Sequence, residues 1–316
     1  MTHLPHGLHY VSDADFTGTR AKHGAGLAIP PAWKKVKVCT DPHGHIQAVG
    51  FDDKGRKQYI YHPDWIAYNQ QNKFDKMIRF AEVLPTLRDT VAGHLRQHQL
   101  SRERILATIT WLLEHTFIRI GNKTYEKENQ SYGLTTLHNK HTSVTGNKVK
   151  FSFKGKSGVY HELDITHPRI AQTIQQCIEL PGYELFQYVN DEGQRQSVDS
   201  HQVNEYLREI TGEVLSAKDF RTWGGTSKAG DFLFNTNPAE GEKETEQNLL
   251  RMVEEVASHL GNTVAVCRQY YIHPLIFETY RKGTLLPHFH KAKKNYARNA
   301  NELSEHEYAI WTLLKG

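Results

Sequence analysis

The sequence predicts an α+β chain in two parts, a small β-rich amino-terminal domain and a larger, mainly helical one. Three observations carry that expectation. The first ninety or so residues hold short β-branched and aromatic runs set between turn formers. A long apolar helix pattern opens the region that follows, and the remainder keeps mainly helical periodicity. The length, 316 residues, suits two domains of ordinary size.

Taken in order, VKVCT (36–40), HIQAVGF (45–51) and KQYIYH (57–62) read as strands. Turns at Asp41-Pro42-His43-Gly44 and Asp52-Asp53-Lys54-Gly55 separate them. From Asn72 to about Leu100 the pattern is helical, with Phe74, Ile78 and Ala81 on one face and Pro85 as a candidate break. A boundary near residue 92 is expected, giving domains 1–92 and 93–316. The second opens on a helix capped by Ser101, with Ile105, Ile109, Leu112, Leu113 and Phe117 on one apolar face and Gly121 as its stop. KVKFSF (148–153) alternates Val149, Phe151 and Phe153 on one face, and VYHELDI (159–165) answers it. Lys154-Gly155-Lys156-Ser157-Gly158 is the hairpin turn between them. Around 247–260, Leu249, Val253, Val256 and Leu260 share a helix face that Gly261 ends. There is no internal repeat.

Composition narrows the function classes. Hydrophobic residues make up 38% and charged residues 23%, with mean hydropathy −0.63, so a core can form under a polar surface. No apolar run approaches the length of a membrane span. The start, MTHLPHGLHYVSDADF, lacks the basic-then-apolar pattern of an export signal, and Cys39, Cys177 and Cys267 are too far apart for a disulfide scaffold or a CxxC site. A cytoplasmic location is expected. Net charge is only +4, with pI about 8.7, a weak pointer to nucleic acid taken alone. Its distribution says more: Arg281, Lys282, Lys291, Lys293, Lys294 and Arg298 come with no acid among them, whereas 240–255 is rich in glutamate. Segregated charge allows a basic face on a nearly neutral molecule, although solvated surface helices account for it as well.

Motifs exclude several chemistries. The chain has 20 histidines but no HExxH and no Cys/His cluster, and His288-Phe289-His290 lies in a lysine-rich segment that repels cations. No metal site is expected. GxxxxGK[ST], GxGxxG and GxSxG are absent, which leaves no support for a nucleotide site, a dinucleotide fold or a hydrolase elbow. What remains is a set of cations near glycine breaks. Arg119 sits among Phe117, Ile118 and Ile120, and points either out past the apolar shell or toward an anion. Lys156 tips the hairpin, where an ordinary exposed lysine is the commoner occupant. Arg221 lies in KDFRTWGG (218–225), and Gly261-Asn262-Thr263 precedes Tyr270-Tyr271-Ile272-His273-Pro274. A tyrosine there is otherwise core or interface.

The order of these residues is that of the tyrosine DNA-cleaving enzymes, and the sequence resembles the type IB DNA topoisomerases of poxviruses and bacteria. Collinear matches run over nearly the whole chain: IPPAWKKV (29–36), GFDDKGRKQYIYH (50–62), FIRIGNKTYEKEN (117–129), YGLTTLHNKH (132–141), FKGKSGVYH (153–161), KDFRTWGGT (218–226) and LGNTVAVCRQYYIHP (260–274). The resemblance implies a clamp around duplex DNA, built by the β-rich domain and a catalytic domain of the tyrosine recombinase and topoisomerase IB type. It implies Arg119 and Arg221 gripping the scissile phosphate, Lys156 as general acid, Asn262 as the fifth site member and Tyr271 as nucleophile. Tyr271 is preferred to Tyr270 because it immediately precedes Ile-His-Pro. Many relatives carry histidine where Asn262 stands; asparagine keeps a hydrogen bond to phosphate but cannot carry charge. DNA contacts are implied for Gln58, Tyr59 and Tyr61, and for Tyr125, Lys127 and Asn129. Strand alternation puts Tyr59 and Tyr61 on one face, which sheet packing could also use. Asn122 and Thr124 stand where the poxvirus enzymes have basic residues, so their cleavage-site preference does not carry over.

The implied chemistry is self-consistent. A tyrosine of ordinary pKa about 10 is a poor nucleophile at neutral pH until cations assist it. Guanidinium donors on the phosphorane are each worth about 10²–10³ in rate. A lysine protonates the departing 5′-oxygen, and the 3′-phosphotyrosyl bond conserves energy, so neither ATP nor a metal ion nor any other cofactor is called for. A nucleoid-associated monomer acting on duplex DNA, with no nucleotide and no membrane, is the expectation. A tyrosine recombinase shares the catalytic order, but recombinases usually carry histidine where Lys218 stands here. A purely structural DNA-binding protein is the other alternative.

Overall fold

Strands begin the chain where alternation places them. In a computed structural model that describes residues 4, 7–17, 26–190, 192–296 and 303–316, β1 (Phe16–Thr17), β2 (Lys34–Cys39), β3 (Ile46–Phe51) and β4 (Lys57–Tyr61) form one antiparallel meander in that order. The turns are tied by side chains. Gln47, only 4% exposed, donates to the carbonyls of Pro42 (3.1 Å) and Gly44 (2.7 Å) across the β2–β3 turn. Asp52 closes the β3–β4 turn by accepting from the backbone N–H groups of Lys54 (3.0 Å) and Arg56 (2.9 Å). The Arg56 guanidinium holds the Asp52 carboxyl down at about 2.

Helix α1 (Pro63–His94) follows, so the β-rich stretch is shorter than expected. Proline suits the first helical position, where its missing N–H has no partner to lose. Pro85 lies inside this helix and does not break it. The reason is tertiary: Met77, Phe80, Ala81, Leu84, Leu87 and Val91 form a buried stripe of helical spacing on both sides of the proline. The chain divides into two compact units, Met1–Lys76 and Met77–Gly316, and the division falls inside α1.

The second unit is largely helical. Helix α2 (Arg102–Thr116) is capped as the sequence predicts, Ser101 accepting from the Arg104 N–H. It stops at Thr116, not at Gly121: Phe117 adopts a left-handed conformation (φ 53°), and its N–H returns to the Leu113 carbonyl. Ile105, Leu106, Ala107, Thr108, Ile109, Leu112 and Leu113 are all fully buried, so α2 is a central helix, with Trp111 alone partly exposed over that stretch. Next come α3 (Lys123–Asn129) and a sheet of β5 (Thr142–Thr145), β6 (Lys148–Lys154) and β7 (Tyr160–Thr166). The β6–β7 ladder is in full antiparallel register from Lys148–Thr166 to Lys154–Tyr160. Helix α4 (Pro168–Glu179), a small hairpin of β8 (Gln187–Val189) and β9 (Arg195–Ser197), and α5 (Ser200–Thr211) pack around α2.

Helix α6 (Ala217–Phe234) is the second buried axis, against α2 and α7 (Glu242–Leu260). Gly261 ends α7 in the left-handed conformation (φ 58°). The short α8 (Val264–Tyr270), then α9 (Pro274–Arg281), α10 (Leu285–Tyr296) and α11 (Glu305–Lys315) complete the unit. No described helix is long and apolar enough to cross a membrane.

Candidate active site

Four elements meet at the site, all within the second unit. Arg119 stands in the extended segment after α2, two residues beyond the left-handed turn at Phe117. Its guanidinium donates to the Gly261 carbonyl (3.3 Å) and to Asn262 Oδ1. Arg221, on α6 and 4% exposed, donates to the carbonyls of Phe117 and Leu260 (2.8 Å). Two carbonyls freed by the ends of α2 and α7 thus orient one guanidinium. Arg221 also lies over the Tyr271 ring, 5.1 Å from its centroid. Arg119, Arg221, Asn262 and Tyr271 are thereby brought together.

The electrostatics are those of an unneutralised site. Among the described residues neither guanidinium has a carboxylate partner; Arg119 and Arg221 donate to neutral oxygens. Burial, with repulsion from Arg221, pulls Arg119 down to about 10. Burial likewise lowers Arg221, while the neighbouring Tyr271 phenol works in the other direction. Arg221 Nε and Asn262 Nδ2 are buried donors with no hydrogen-bond partner among the described residues. Buried charge and orphaned donors are costly, and an anion bound among them relieves both costs. Among the described residues no group of histidine, cysteine or acidic side chains could hold a metal ion.

Tyr271 is held by its backbone. It ends α8, its N–H bonding back to the Cys267 carbonyl (2.9 Å). Its own carbonyl accepts from Thr226 Oγ1 (3.3 Å), and the same hydroxyl accepts from the His273 N–H (3.0 Å). Thr226 is fully buried on α6. Close approach of α6 explains the adjacent glycine pair: a Cβ at Gly225 would stand 2.6 Å from the Tyr271 carbonyl oxygen, and one at Gly224 would overlap the Phe117 ring. Two helix-interior glycines are unfavourable by about 1 kcal/mol each, and the approach requires them. The sequence reading missed Thr226, although the run TWGGT signalled a helix face meeting another backbone.

Lys156 is placed differently. It begins a single turn, Lys156–Gly158, at the exposed end of the β6–β7 hairpin; its carbonyl accepts from the Val159 N–H (3.4 Å), and its side chain makes no hydrogen bond or ion pair with a described residue. Its amine is therefore not among the groups gathered at Arg221. The other candidate contacts also separate. Tyr59 and Tyr61 are exposed on one face of β4 and stack with ring centroids 6.0 Å apart, with Lys57 beside Tyr59. Gln58 lies on the opposite face and donates to Asp52 (3.0 Å). Tyr125 and Lys127 are exposed on α3, whose N-cap is Asn122, and Asn129 is half-buried at its end.

The basic segment does not stand free as expected. Arg281 pairs with Glu246 (2.6 Å) and Lys293 with Glu305 (3.0 Å), and Arg298 lies outside the described residues. The glutamate-rich and lysine-rich stretches meet in space, and part of their charge cancels there. His288 bonds the Ala309 carbonyl (3.1 Å) and Thr312 (3.0 Å), which fastens α10 to α11.

The helical unit thus sets around a tyrosine two arginines that have no carboxylate partner among the described residues, the same residues whose order along the chain resembles that of the tyrosine DNA-cleaving enzymes. Comparison with known families makes it specific. Residues 62–299 match the catalytic core of eukaryotic DNA topoisomerase I, and residues 16–52 match the amino-terminal domain of bacterial DNA topoisomerase IB. The chain belongs to the type IB DNA topoisomerase family. It is 29% identical over 276 residues to DNA topoisomerase 1B of Acanthamoeba polyphaga mimivirus, covering 85% of this chain and 81% of the relative. It is 24% identical over 242 residues to DNA topoisomerase 1B of Vaccinia virus (strain Copenhagen), covering 75% and 73%. DNA topoisomerase 1 of Mycosarcoma maydis matches at 26% over 214 residues, 60% of this chain and 21% of that longer protein.

Proposed function

We propose that this chain relaxes supercoiled duplex DNA by cutting and rejoining one strand through Tyr271, its two units acting together as a clamp. The phenol oxygen attacks the scissile phosphorus as its proton passes to water, and the bond from phosphorus to the 5′-oxygen breaks. Arg119 and Arg221 hold the non-bridging oxygens, with the orphaned Asn262 Nδ2 as a further donor. Lys156, on its exposed hairpin tip, protonates the leaving 5′-oxygen. The 3′-phosphotyrosyl bond keeps the energy of the broken one, and reversal reseals the strand. Exposed Tyr59 and Tyr61 on β4, and exposed Tyr125 and Lys127 with Asn129 on α3, are the proposed DNA contacts. Gln58, bonded to Asp52, contributes by holding the β3–β4 turn.

The observation that carries this reading is a pair of guanidiniums beside Tyr271, Arg221 buried and Arg119 half-buried, with no carboxylate partner among the described residues. The test is relaxation of a supercoiled plasmid by the purified chain, without ATP and in EDTA. Tyr271→Phe is expected to abolish relaxation and covalent adduct while noncovalent DNA affinity stays near wild type. An adduct that persists in Tyr271→Phe moves the nucleophile to Tyr270. Site-specific strand joining without relaxation supports a recombinase instead.

A further inference from the structure

One imidazole lies between the Lys156 hairpin and the arginine pair. His161 pairs with Phe153 across the β6–β7 ladder, and the two rings stack 5.1 Å apart with an interplanar angle of 18°. On one side the imidazole meets Gly155, where a Cβ would stand 2.6 Å from both Cδ2 and Nε2. On the other it meets Gly261, where a Cβ would stand 2.8 Å from Cε1. Gly155 immediately precedes Lys156. Gly261 immediately precedes Asn262, and its carbonyl accepts from Arg119. A side chain at either glycine would expel the ring.

We propose that His161 is the positioning residue that sets the Lys156 hairpin against the turn carrying Asn262, a role that rests on the cleavage reaction proposed above. Lys156 needs such a brace. It stands on an exposed turn beside Ser157 in a left-handed conformation (φ 63°), and no described residue bonds its side chain. A general acid must sit within hydrogen-bond reach of the leaving oxygen, and misplacement of about 1 Å costs on the order of 10²-fold in rate. The ring supplies shape rather than charge. Burial, together with Arg119 and Arg221, keeps its pKa below the ordinary histidine value, so it is neutral near pH 7. It is wedged by stacking and by contact with two backbones, and among the described residues its nitrogens have no hydrogen-bond partner.

The experiment is single-turnover cleavage by the full chain of two DNA substrates, an ordinary phosphodiester and a 5′-bridging phosphorothiolate whose sulfur leaves without an acid. His161→Ala is expected to slow the ordinary substrate about 10²-fold and the sulfur substrate little, the same pattern expected of Lys156→Ala. His161→Gln, a planar amide of similar reach, restores most of the rate. Gly155 has φ −92° and ψ −166°, open to any residue, and its Cβ would otherwise make only an ordinary 3.4 Å contact with the Val159 carbonyl oxygen, so Gly155→Ala acts chiefly through the ring. It should produce the same sulfur-rescued defect, and should add little once His161 is alanine. Circular dichroism and noncovalent DNA affinity check folding; if His161→Ala fails to fold, the Gln and Gly155→Ala variants carry the test. A His161→Ala defect that persists on the sulfur substrate overturns the proposal, as does an equal cost of Gly155→Ala with and without the ring. A wild-type chain that forms no adduct overturns the cleavage reading and this one with it. Wild-type cleavage with unrescued His161→Ala overturns this one alone.

Discussion

Arg88 and Arg221 are both guanidiniums drawn out of solvent, and what faces each decides what it is for. Arg88 meets Glu114 and Glu307, each at 2.7 Å, and those carboxylates raise its pKa. Arg221 meets carbonyls and a phenol, and burial without a carboxylate partner among the described residues lowers its pKa. The first is satisfied by carboxylates; the second has no carboxylate partner among the described residues, which is what the proposed grip on a phosphate requires. Nothing in the residues flanking them separates the two. That Arg119, Arg221, Asn262 and Tyr271 lie together is legible in their order along the chain, which resembles that of the tyrosine DNA-cleaving enzymes, whereas Thr226 and His161 make backbone and ring contacts that leave no spacing pattern. Thr226 offers a direct check. Thr226→Val keeps the shape but leaves the His273 N–H without its acceptor and the Tyr271 carbonyl without a donor. The expected loss is about 1–3 kcal/mol of stability, read as a lower thermal midpoint. Covalent-adduct formation should slow while DNA affinity holds. A variant as stable and as fast as wild type would show that the hydroxyl does not anchor the tyrosine.

Elements stabilised by local signals were readable, and those decided by tertiary packing were not. Three strands and the Ser101 cap lie where alternation and capping chemistry put them. The β6–β7 hairpin follows from its two glycines and its alternating apolar face. In contrast, α2 ends at a left-handed Phe117, a conformation no local preference would assign to phenylalanine. The turn there delivers the carbonyl that orients Arg221. Continuation of α1 through Pro85 is likewise a tertiary effect, since Leu84 and Leu87 are buried on either side of it. The proline lacks the N–H that would reach the Ala81 carbonyl, and its ring crowds that carbonyl. Pro85→Ala is therefore expected to stabilise the chain by up to about 3 kcal/mol, raising the melting temperature without changing cleavage. A lower melting temperature would mean that α1 depends on the proline ring.

At the scale of the whole molecule, the net charge of +4 understates how unevenly cations are used. Many surface cations are already paired: Arg281 with Glu246, Lys293 with Glu305, Lys148 with Asp164 (2.7 Å) and Lys123 with Glu184 (3.2 Å). A DNA phosphate gains little from a cation that must first leave a carboxylate. Lys127 has no such partner among the described residues, and it is exposed on α3 beside Tyr125. Binding should weaken steeply with salt, because each neutralised phosphate releases counterions. The slope of log affinity against log salt then counts the cations in use. Lys127→Ala is expected to reduce that slope by about 1, whereas Arg281→Ala, which breaks an existing pair, leaves it unchanged. Equal effects from the two substitutions would mean that the Arg281–Glu246 pair opens on DNA. In that case the lysine-rich stretch is part of the DNA-binding face, as its sequence alone suggests. Unequal effects would confine that face to cations that folding has left unpaired.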